Sequence, residues 1–134
     1  MAKLVQLLVF AAMLCLTYSF RTQSVGAYGR LYCGQTPAKD VVVRLIDKDQ
    51  GERGPDPDDY MEQTTTNSTG HFLIKGSALE LSMIDPEIRI YHDCRDHHKK
   101  CMREWVMRIP YKYIVDGEQI ANLLNIGNLN LEAR

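Results

Sequence analysis

The chain has 134 residues, of which 45% are hydrophobic and 25% are charged, and this length suits a single globular domain. Its 16 basic and 17 acidic side chains give a formal net charge of −1. Because the two signs are interspersed and nearly balanced, composition gives no electrostatic basis for binding nucleic acid or an anionic membrane surface. The functional signals therefore lie in individual segments.

The amino-terminal segment has the pattern of a secretory signal peptide. Lys3 supplies a positive charge, an apolar run follows over 4–16, and small residues stand three positions and one position before a cut after Ser19. The run is too short to span ~30 Å of hydrocarbon comfortably, and no second run of this kind follows. We therefore expect a signal peptide over 1–19, a secreted domain over 20–134 and no transmembrane segment.

Export would place the cysteines in an oxidising compartment, where cysteines close together usually form a disulfide. With Cys15 in the signal peptide, Cys33, Cys94 and Cys101 remain. The polar segment 95–100 is long enough to fold back, so we expect a Cys94–Cys101 bridge that stabilises the domain by about 2–3 kcal/mol. Cys33 is left either as a buried free thiol or as a competitor for one of the other two.

The rest of the chain predicts about seven short strands. Apolar residues alternate with polar ones or form short runs, and turn residues interrupt them at intervals typical of β-proteins. The predicted strands lie at 25–33, 41–46, 61–66, 71–75, 87–94, 102–109 and 125–132. Strands and helices do not alternate, so we expect an all-β fold, an antiparallel β-sandwich.

Two segments carry helical signals. Ser77 and Glu80 have the spacing of a capping box, which predicts one helical turn near the start of 77–85. Apolar residues in 116–124 are spaced for one face of a short helix.

The turn Asn67-Ser68-Thr69-Gly70 separates two predicted strands and is expected to close a β-hairpin. Its first three residues form an acceptor sequon for N-glycosylation, because the middle residue is not proline. In an exported chain a sequon on an exposed turn predicts an N-glycan on Asn67.

Two clusters contain residue types that bind metals, and we expect neither to hold one. The first has zinc-ligand types without a standard zinc spacing, and its thiols are expected in a disulfide. The second has the hard oxygens that Ca²⁺ prefers, but Gly51 stands one position too early for an EF-hand and no glutamate closes the loop. The clusters are His92, Cys94, His97, His98 and Cys101, and Asp47, Asp49, Asp56, Asp58 and Asp59.

Several segments together resemble the nematode transthyretin-like family. The most specific is Ile90-Tyr91-His92-Asp93-Cys94, and the resemblance covers essentially the whole chain after the signal peptide. The other matching segments lie at 25–34, 56–59, 70–72, 84–89, 101–103 and 125–132. The resemblance implies a secreted transthyretin-type β-sandwich with a Cys94–Cys101 bridge, and no shared biochemical activity. Many members continue to another cysteine, whereas this sequence ends at Arg134, which leaves the partner of Cys33 open.

The resemblance also bears on catalysis. Related hydrolases of 5-hydroxyisourate use histidines, an arginine and a carboxyl-terminal Tyr-Arg-Gly-Ser-type tail. This chain ends Leu131-Glu132-Ala133-Arg134, and its first histidine is His71. Without a base in reach of a substrate water there is no general-base mechanism, so we expect no enzymatic activity and no cofactor.

The expected function is therefore extracellular binding. By analogy with transthyretin, the resemblance implies a small hydrophobic or lipid ligand, although a fold alone does not establish a function. The alternative is a protein-recognition or adaptor factor at cell surfaces. A concave apolar pocket favours the first, and a flat apolar patch of several hundred Å² favours the second. The candidate partner contacts are the aromatic residues Tyr28, Tyr32, Tyr111 and Tyr113.

Overall fold

A computed structural model describes residues 1–17, 20–48, 59–95 and 102–133. Within these ranges the chain forms one α-helix, nine strands and one short 3-10 helix. In chain order they are α1 (Ala2–Thr17), β1 (Arg21–Cys33), β2 (Thr36–Pro37), β3 (Val42–Asp47), β4 (Asp59–Thr65), β5 (His71–Glu80), β6 (Pro86–His92), β7 (Arg103–Arg108), the 3-10 helix (Tyr111–Tyr113), β8 (Val115–Asp116) and β9 (Leu124–Asn130).

The strands form two sheets with a shared core, which confirms the expected all-β sandwich. In the five-stranded sheet, β1 is the central strand and pairs with β2, β5 and β8 in antiparallel orientation and with β9 in parallel orientation. The four-stranded sheet has the order β4-β3-β6-β7 and is antiparallel throughout. The parallel pair is not visible in the sequence, because alternation does not reveal strand direction.

The core lies between the sheets and is built from alternate residues of their strands. Val25, Ala27 and Leu31 of β1 are fully buried, whereas Tyr28 between them is exposed. From the opposite sheet, Ile88 and Ile90 of β6 are fully buried in the same apolar cluster. Each strand therefore has one core face and one outer face, and candidate sites are found on the outer faces.

All seven predicted strands are present, as β1, β3 to β7 and β9. β1 begins at Arg21 and β5 continues to Glu80, so both are longer than predicted. The two-residue strands β2 and β8 were not predicted, because segments this short carry no periodic signal.

Neither predicted helical segment is helical. Ser77 and Glu80 lie in β5, where they pair with Ser24 and Arg21 of β1. This pairing provides cross-strand partners for the backbone, whereas an isolated helical turn leaves most of its N–H and C=O groups without one. In 116–124, the end of β8 is followed by a turn in which the Gly117 N–H donates to Thr22 O at 2.8 Å.

The turn 67–70 does not close a hairpin. β4, which precedes it, belongs to the four-stranded sheet, and β5, which follows it, belongs to the five-stranded sheet. The turn therefore carries the chain from one sheet to the other. It is hydrogen-bonded to β1 and β5 of the five-stranded sheet, because Leu31 N donates to Gly70 O at 2.8 Å and Asn67 N donates to His71 O at 2.9 Å.

β9 contains a bulge that changes which of its side chains face the core. Tyr28 pairs with Asn125 but Arg30 pairs with Asn128, so β9 has one residue more than β1 across this interval. As a result Ile126 and Leu129 both pack against the core, although strict alternation would place residues three positions apart on opposite faces.

The disulfide expected from the sequence is wrong. Cys94 is bonded to Cys33, with the two Cα atoms 5.7 Å apart and a separation of 61 positions in sequence. Because a cysteine forms one disulfide, this bond replaces the Cys94–Cys101 pairing; Cys101 lies outside the described residues. The folding of the sandwich brings the ends of β1 and β6 together, although the two cysteines are far apart in sequence.

The helix α1 does not bury its apolar side chains in the sandwich. Leu4, Leu7, Leu8 and Phe10 are each more than 60% exposed. No helix in the described ranges is both long enough and apolar enough to cross a membrane.

Candidate ligand-binding groove

The outer face of the five-stranded sheet carries an apolar groove. Tyr28 of β1 and Leu73 of β5 are directly opposite each other in the antiparallel pair, and their side chains are 41% and 51% exposed. Cross-strand partners on one face of a sheet lie in contact distance, so the two form a continuous apolar surface. The groove has a volume of about 500 Å³ and is lined by Tyr28, Asn67, His71, Phe72, Leu73 and Leu123.

Leu123 reaches this face because β1 has a glycine next to the groove. A Cβ atom at Gly26 would lie 2.6 Å from Leu123 Cδ2 and 2.9 Å from the backbone oxygen of Ile74. Glycine therefore allows the segment before β9 to lie close against β1. This close approach makes Leu123 one wall of the groove.

A second recess lies beside Tyr28 and is polar. Its volume is about 330 Å³, and Tyr28 and His71 line both it and the apolar groove. Arg30 is held in place here, because its Nε donates to Thr69 O at 2.7 Å and its guanidinium carbon lies 4.7 Å from the centroid of the Tyr32 ring. The remaining residues that line the recess are Gly29, Asn125, Gly127 and Asn128.

The two recesses together present an apolar surface next to amide and guanidinium groups. Such a surface suits a ligand with an apolar body and a polar end, since small-molecule sites combine an apolar lining with a few polar groups that fix orientation.

Asn67 stands at the edge of the groove in a fixed position. Its side-chain Oδ1 accepts hydrogen bonds from Thr69 N at 3.0 Å, from Thr69 Oγ1 at 2.9 Å and from His71 N at 2.9 Å. The residue itself is exposed. An asparagine whose side chain bonds to the backbone two residues later forms an Asx-turn, which restricts the side chain to one orientation.

The four tyrosines named from the sequence do not form one surface. Tyr28 lines the groove, and Tyr32 is half-buried beneath the Arg30 guanidinium. Tyr111 is exposed and lines a separate recess of about 150 Å³ with Asp85 and neighbouring residues. Tyr113, in the same 3-10 helix, packs partly against the core. Only Tyr28 belongs to the groove.

Leu73 and Leu123 are the groove residues that sequence reasoning missed. Leu73 had a detectable signal, because it alternates with the core residues Phe72 and Ile74 and must therefore face outward. Leu123 had none, since its position depends on how the segment before β9 folds over Gly26.

The zinc-type cluster is not assembled as a metal site in the described part of the chain. The sulfur of Cys94 is bonded to Cys33, so it is not available as a thiolate ligand. The Cys94 N–H donates to His92 Nδ1 at 3.2 Å, and the His92 ring lies 6.4 Å from Trp105 in an edge arrangement. His97, His98 and Cys101 lie outside the described residues.

The acidic cluster is only partly described. Asp47 is buried, and its Oδ1 accepts a hydrogen bond from Asp85 N at 2.8 Å, which ties the end of β3 to the segment before β6. Asp59 begins β4, and its side chain is not described. Asp49, Asp56 and Asp58 lie outside the described residues.

Comparisons with a family model and with related protein sequences agree with one another. A family model described as "TTR-52: Transthyretin-like family" matches residues 28–110. Transthyretin-like protein 33 of Caenorhabditis elegans is 41% identical over 111 residues, which cover 83% of this chain and 76% of that protein. Transthyretin-like protein 5 of the same organism is 38% identical, with 94% and 90% covered, and transthyretin-like protein 46 is 41% identical, with 98% and 72% covered.

Proposed function

Because the chain belongs to the transthyretin-like family, we propose that it is a secreted extracellular binding protein that carries or recognises a small hydrophobic or lipid ligand. The observation that supports this proposal best is the apolar groove beside Tyr28. We propose Tyr28, Leu73 and Leu123 as its principal contacts.

The groove has a suitable size and chemistry for such a ligand. Its volume of about 500 Å³ falls within the range of roughly 300–1,000 Å³ that is typical of small-molecule sites. Tyr28 and Leu73 expose apolar surface that a ligand would remove from water, at a gain of about 25 cal/mol per Å². Because the groove lies on the outer face of a sheet, the ligand would remain partly exposed.

The polar recess narrows the class of ligand. Arg30, Asn125 and Asn128 line this recess, which shares Tyr28 and His71 with the apolar groove. A molecule with an apolar body and an anionic or hydrogen-bonding end could contact the apolar groove with its body and the polar recess with its end. This chemistry favours an amphipathic ligand over a pure hydrocarbon.

Secretion is supported by two observations. The helix α1 leaves its apolar side chains exposed, as expected of a leader that is removed and not of a core element. The Cys33–Cys94 disulfide is of a kind that persists in oxidising compartments such as the extracellular space. We therefore propose cleavage near Ser19 and a mature domain over 20–134.

We propose a binding role without catalysis. Thr69 Oγ1 and His71 Nδ1 are 2.8 Å apart, which superficially resembles a hydroxyl nucleophile next to a base. The same hydroxyl donates to Asn67 Oδ1 at 2.9 Å and the His71 backbone N–H donates to that oxygen as well, so both residues are positioned by the Asx-turn. Their arrangement is accounted for by the turn.

The proposal is tested by binding of the amphipathic fluorophore 1-anilinonaphthalene-8-sulfonate to bacterially produced, oxidatively refolded 20–134 protein. We expect Tyr28→Ser and Leu73→Asn to weaken binding by about tenfold, since each removes roughly 1.5 kcal/mol or more of apolar contact. Tyr60→Ser and Val106→Asn are matched controls, because both residues are exposed on strands of the other sheet, at 59% and 54%. Equal binding by all variants would refute the groove as the site.

A protein-recognition role at cell surfaces is the second candidate. Leu79, Leu81 and Met83 near the end of β5 are 62%, 61% and 56% exposed, and exposed apolar residues close together are typical of protein interfaces. If this role is correct, replacing these three residues with asparagine should abolish binding of labelled protein to cells, and the Tyr28 and Leu73 variants should still bind.

A further inference from the structure

We infer that an N-glycan on Asn67 lies over the apolar groove beside Tyr28 and controls access to it. The position of the glycan follows from the turn 67–70 and from the apolar surface of Tyr28 and Leu73 beside it. Its consequence for ligand binding rests on the proposed function.

The turn is built to accept the modification in the folded state. All three hydrogen bonds that hold the Asn67 side chain are accepted by Oδ1. A glycan replaces a hydrogen on Nδ2 and leaves Oδ1 as an acceptor. The Asx-turn therefore keeps all three bonds when Asn67 is glycosylated, and the sugar is attached to a side chain whose orientation is already fixed.

That orientation brings the first sugar to the groove. Asn67 itself lines the groove together with Tyr28, Leu73 and Leu123. The sugar attached to Nδ2 therefore starts at the groove edge and not at an isolated loop tip. The turn joins two sheets, so its position relative to β1 and β5 is set by the Gly70–Leu31 and Asn67–His71 backbone hydrogen bonds.

The groove also has surface that matches this sugar. N-acetylglucosamine has an apolar face of C–H groups and an acetyl methyl group, with hydroxyls around its rim. The exposed Tyr28 ring and Leu73 side chain provide apolar area for the C–H face, and the His71 side chain lies beside them. Packing of the sugar here removes apolar surface of both partners from water, which favours the covered arrangement over a glycan extended into solvent.

The protein would then exist in two forms. In the glycosylated form Tyr28, Leu73 and Leu123 are shielded, and in the unglycosylated form they are open. Ligand affinity would then depend on whether Asn67 carries its glycan.

The test is hydroxyl-radical footprinting of secreted protein made with high-mannose glycans. One sample is untreated, one is trimmed by an endoglycosidase that leaves a single N-acetylglucosamine, and one is treated with an amidase that removes the glycan and converts the asparagine to aspartate. The carboxylate keeps an oxygen acceptor, so the turn is preserved. We expect oxidation of Tyr28 and Leu73 to rise several-fold only after complete removal, while oxidation of Tyr60 and Val106 stays constant.

A pair of variants repeats the test without enzymes. Thr69→Ala destroys the sequon but leaves the two bonds from backbone N–H groups to Asn67 Oδ1, whereas Thr69→Ser keeps the sequon. The groove should be open in Thr69→Ala and shielded in Thr69→Ser. Secreted protein without a glycan on Asn67, or equal oxidation of Tyr28 in glycosylated and unglycosylated samples, overturns the inference.

The footprint needs no ligand, so its outcome is separate from that of the proposed function. If the footprint shows a shielded groove but the unglycosylated protein does not bind the fluorophore, the glycan position is supported and the proposed ligand-binding function is refuted. If the footprints are unchanged but fluorophore binding depends on the groove residues, the glycan position is refuted and the proposed ligand-binding function is supported.

Discussion

Cys33, the last residue of β1, is disulfide-bonded to Cys94, two residues beyond the end of β6. The bond therefore joins the central strand of the five-stranded sheet to a central strand of the four-stranded sheet. Close to it, Arg95 forms an ion pair with Glu132, beyond the end of β9. One corner of the sandwich thus fixes the two sheets relative to each other.

Removing this disulfide should destabilise the domain strongly. Cys33 and Cys94 are 61 residues apart in sequence, and a loop of that length corresponds to a stabilisation of about 4 kcal/mol in the chain-entropy model. We expect the Cys33→Ala/Cys94→Ala double variant to lose roughly this free energy of unfolding in urea, and Cys101→Ala to lose much less. Peptide mapping without reductant should link the Cys33 and Cys94 peptides; a Cys94–Cys101 fragment would contradict the pairing.

Gln23 should be a second stabilising residue, because its buried side chain supplies hydrogen-bond partners to two backbone groups, of which the N–H of Ile84 is buried. Gln23 is 1% exposed, its Nε2 donates to Ser82 O at 2.7 Å, and its Oε1 accepts from Ile84 N at 3.0 Å. We expect Gln23→Leu to reduce the free energy of unfolding by about 1–3 kcal/mol, since it leaves the buried N–H of Ile84 without a partner.

The matched control for Gln23 is Gln63→Leu, in which an exposed glutamine loses a 2.8 Å hydrogen bond from Arg44 Nε. This change should cost less than about 0.5 kcal/mol, because water replaces the lost partner. Amide exchange at Ile84 should accelerate in Gln23→Leu only. Similar stabilities for the two variants would show that the buried bonds of Gln23 contribute little.

A side chain at Gly29 should destabilise the domain because it would collide with Ile126. A Cβ atom at Gly29 would overlap Ile126 Cγ1 and would lie 2.9 Å from Ile126 Cδ1. We expect Gly29→Ala to cost about 1–3 kcal/mol through overpacking. In the Gly29→Ala/Ile126→Ala double variant the overlap is removed, so its loss of stability should be smaller than the sum of the single losses. Additive losses would contradict the contact.

The amino-terminal segment should be absent from the mature protein. Because α1 leaves its apolar side chains exposed, its removal should not disturb the core, and the 20–134 protein should unfold within about 0.5 kcal/mol of the full chain. Amino-terminal sequencing of protein from the culture medium should begin near Phe20. A secreted form that starts at Met1 would refute the cleavage of a signal peptide.

Local patterns predicted the strands reliably, because alternation is a property of neighbouring residues. Trp105, Met107 and Ile109 occupy alternate positions of the predicted strand 102–109, and all three are more buried than Val106 between them. The capping-box spacing of Ser77 and Glu80 gave a wrong prediction, because it is also a purely local signal. Such a signal is overridden when an adjacent strand offers cross-strand hydrogen bonds.

The sequence by itself determined the positions of the seven longer strands, the apolar face of most of them, and the family to which the chain belongs. Only the tertiary structure decided that β4 and β5 belong to different sheets, that β9 runs parallel to β1, and that Cys33 bonds to Cys94. It alone brought Tyr28, Leu73, Leu123 and Asn67 to one groove. The physical reason is that alternation specifies the face of a strand but not its partner, which depends on how all the strands pack around one core.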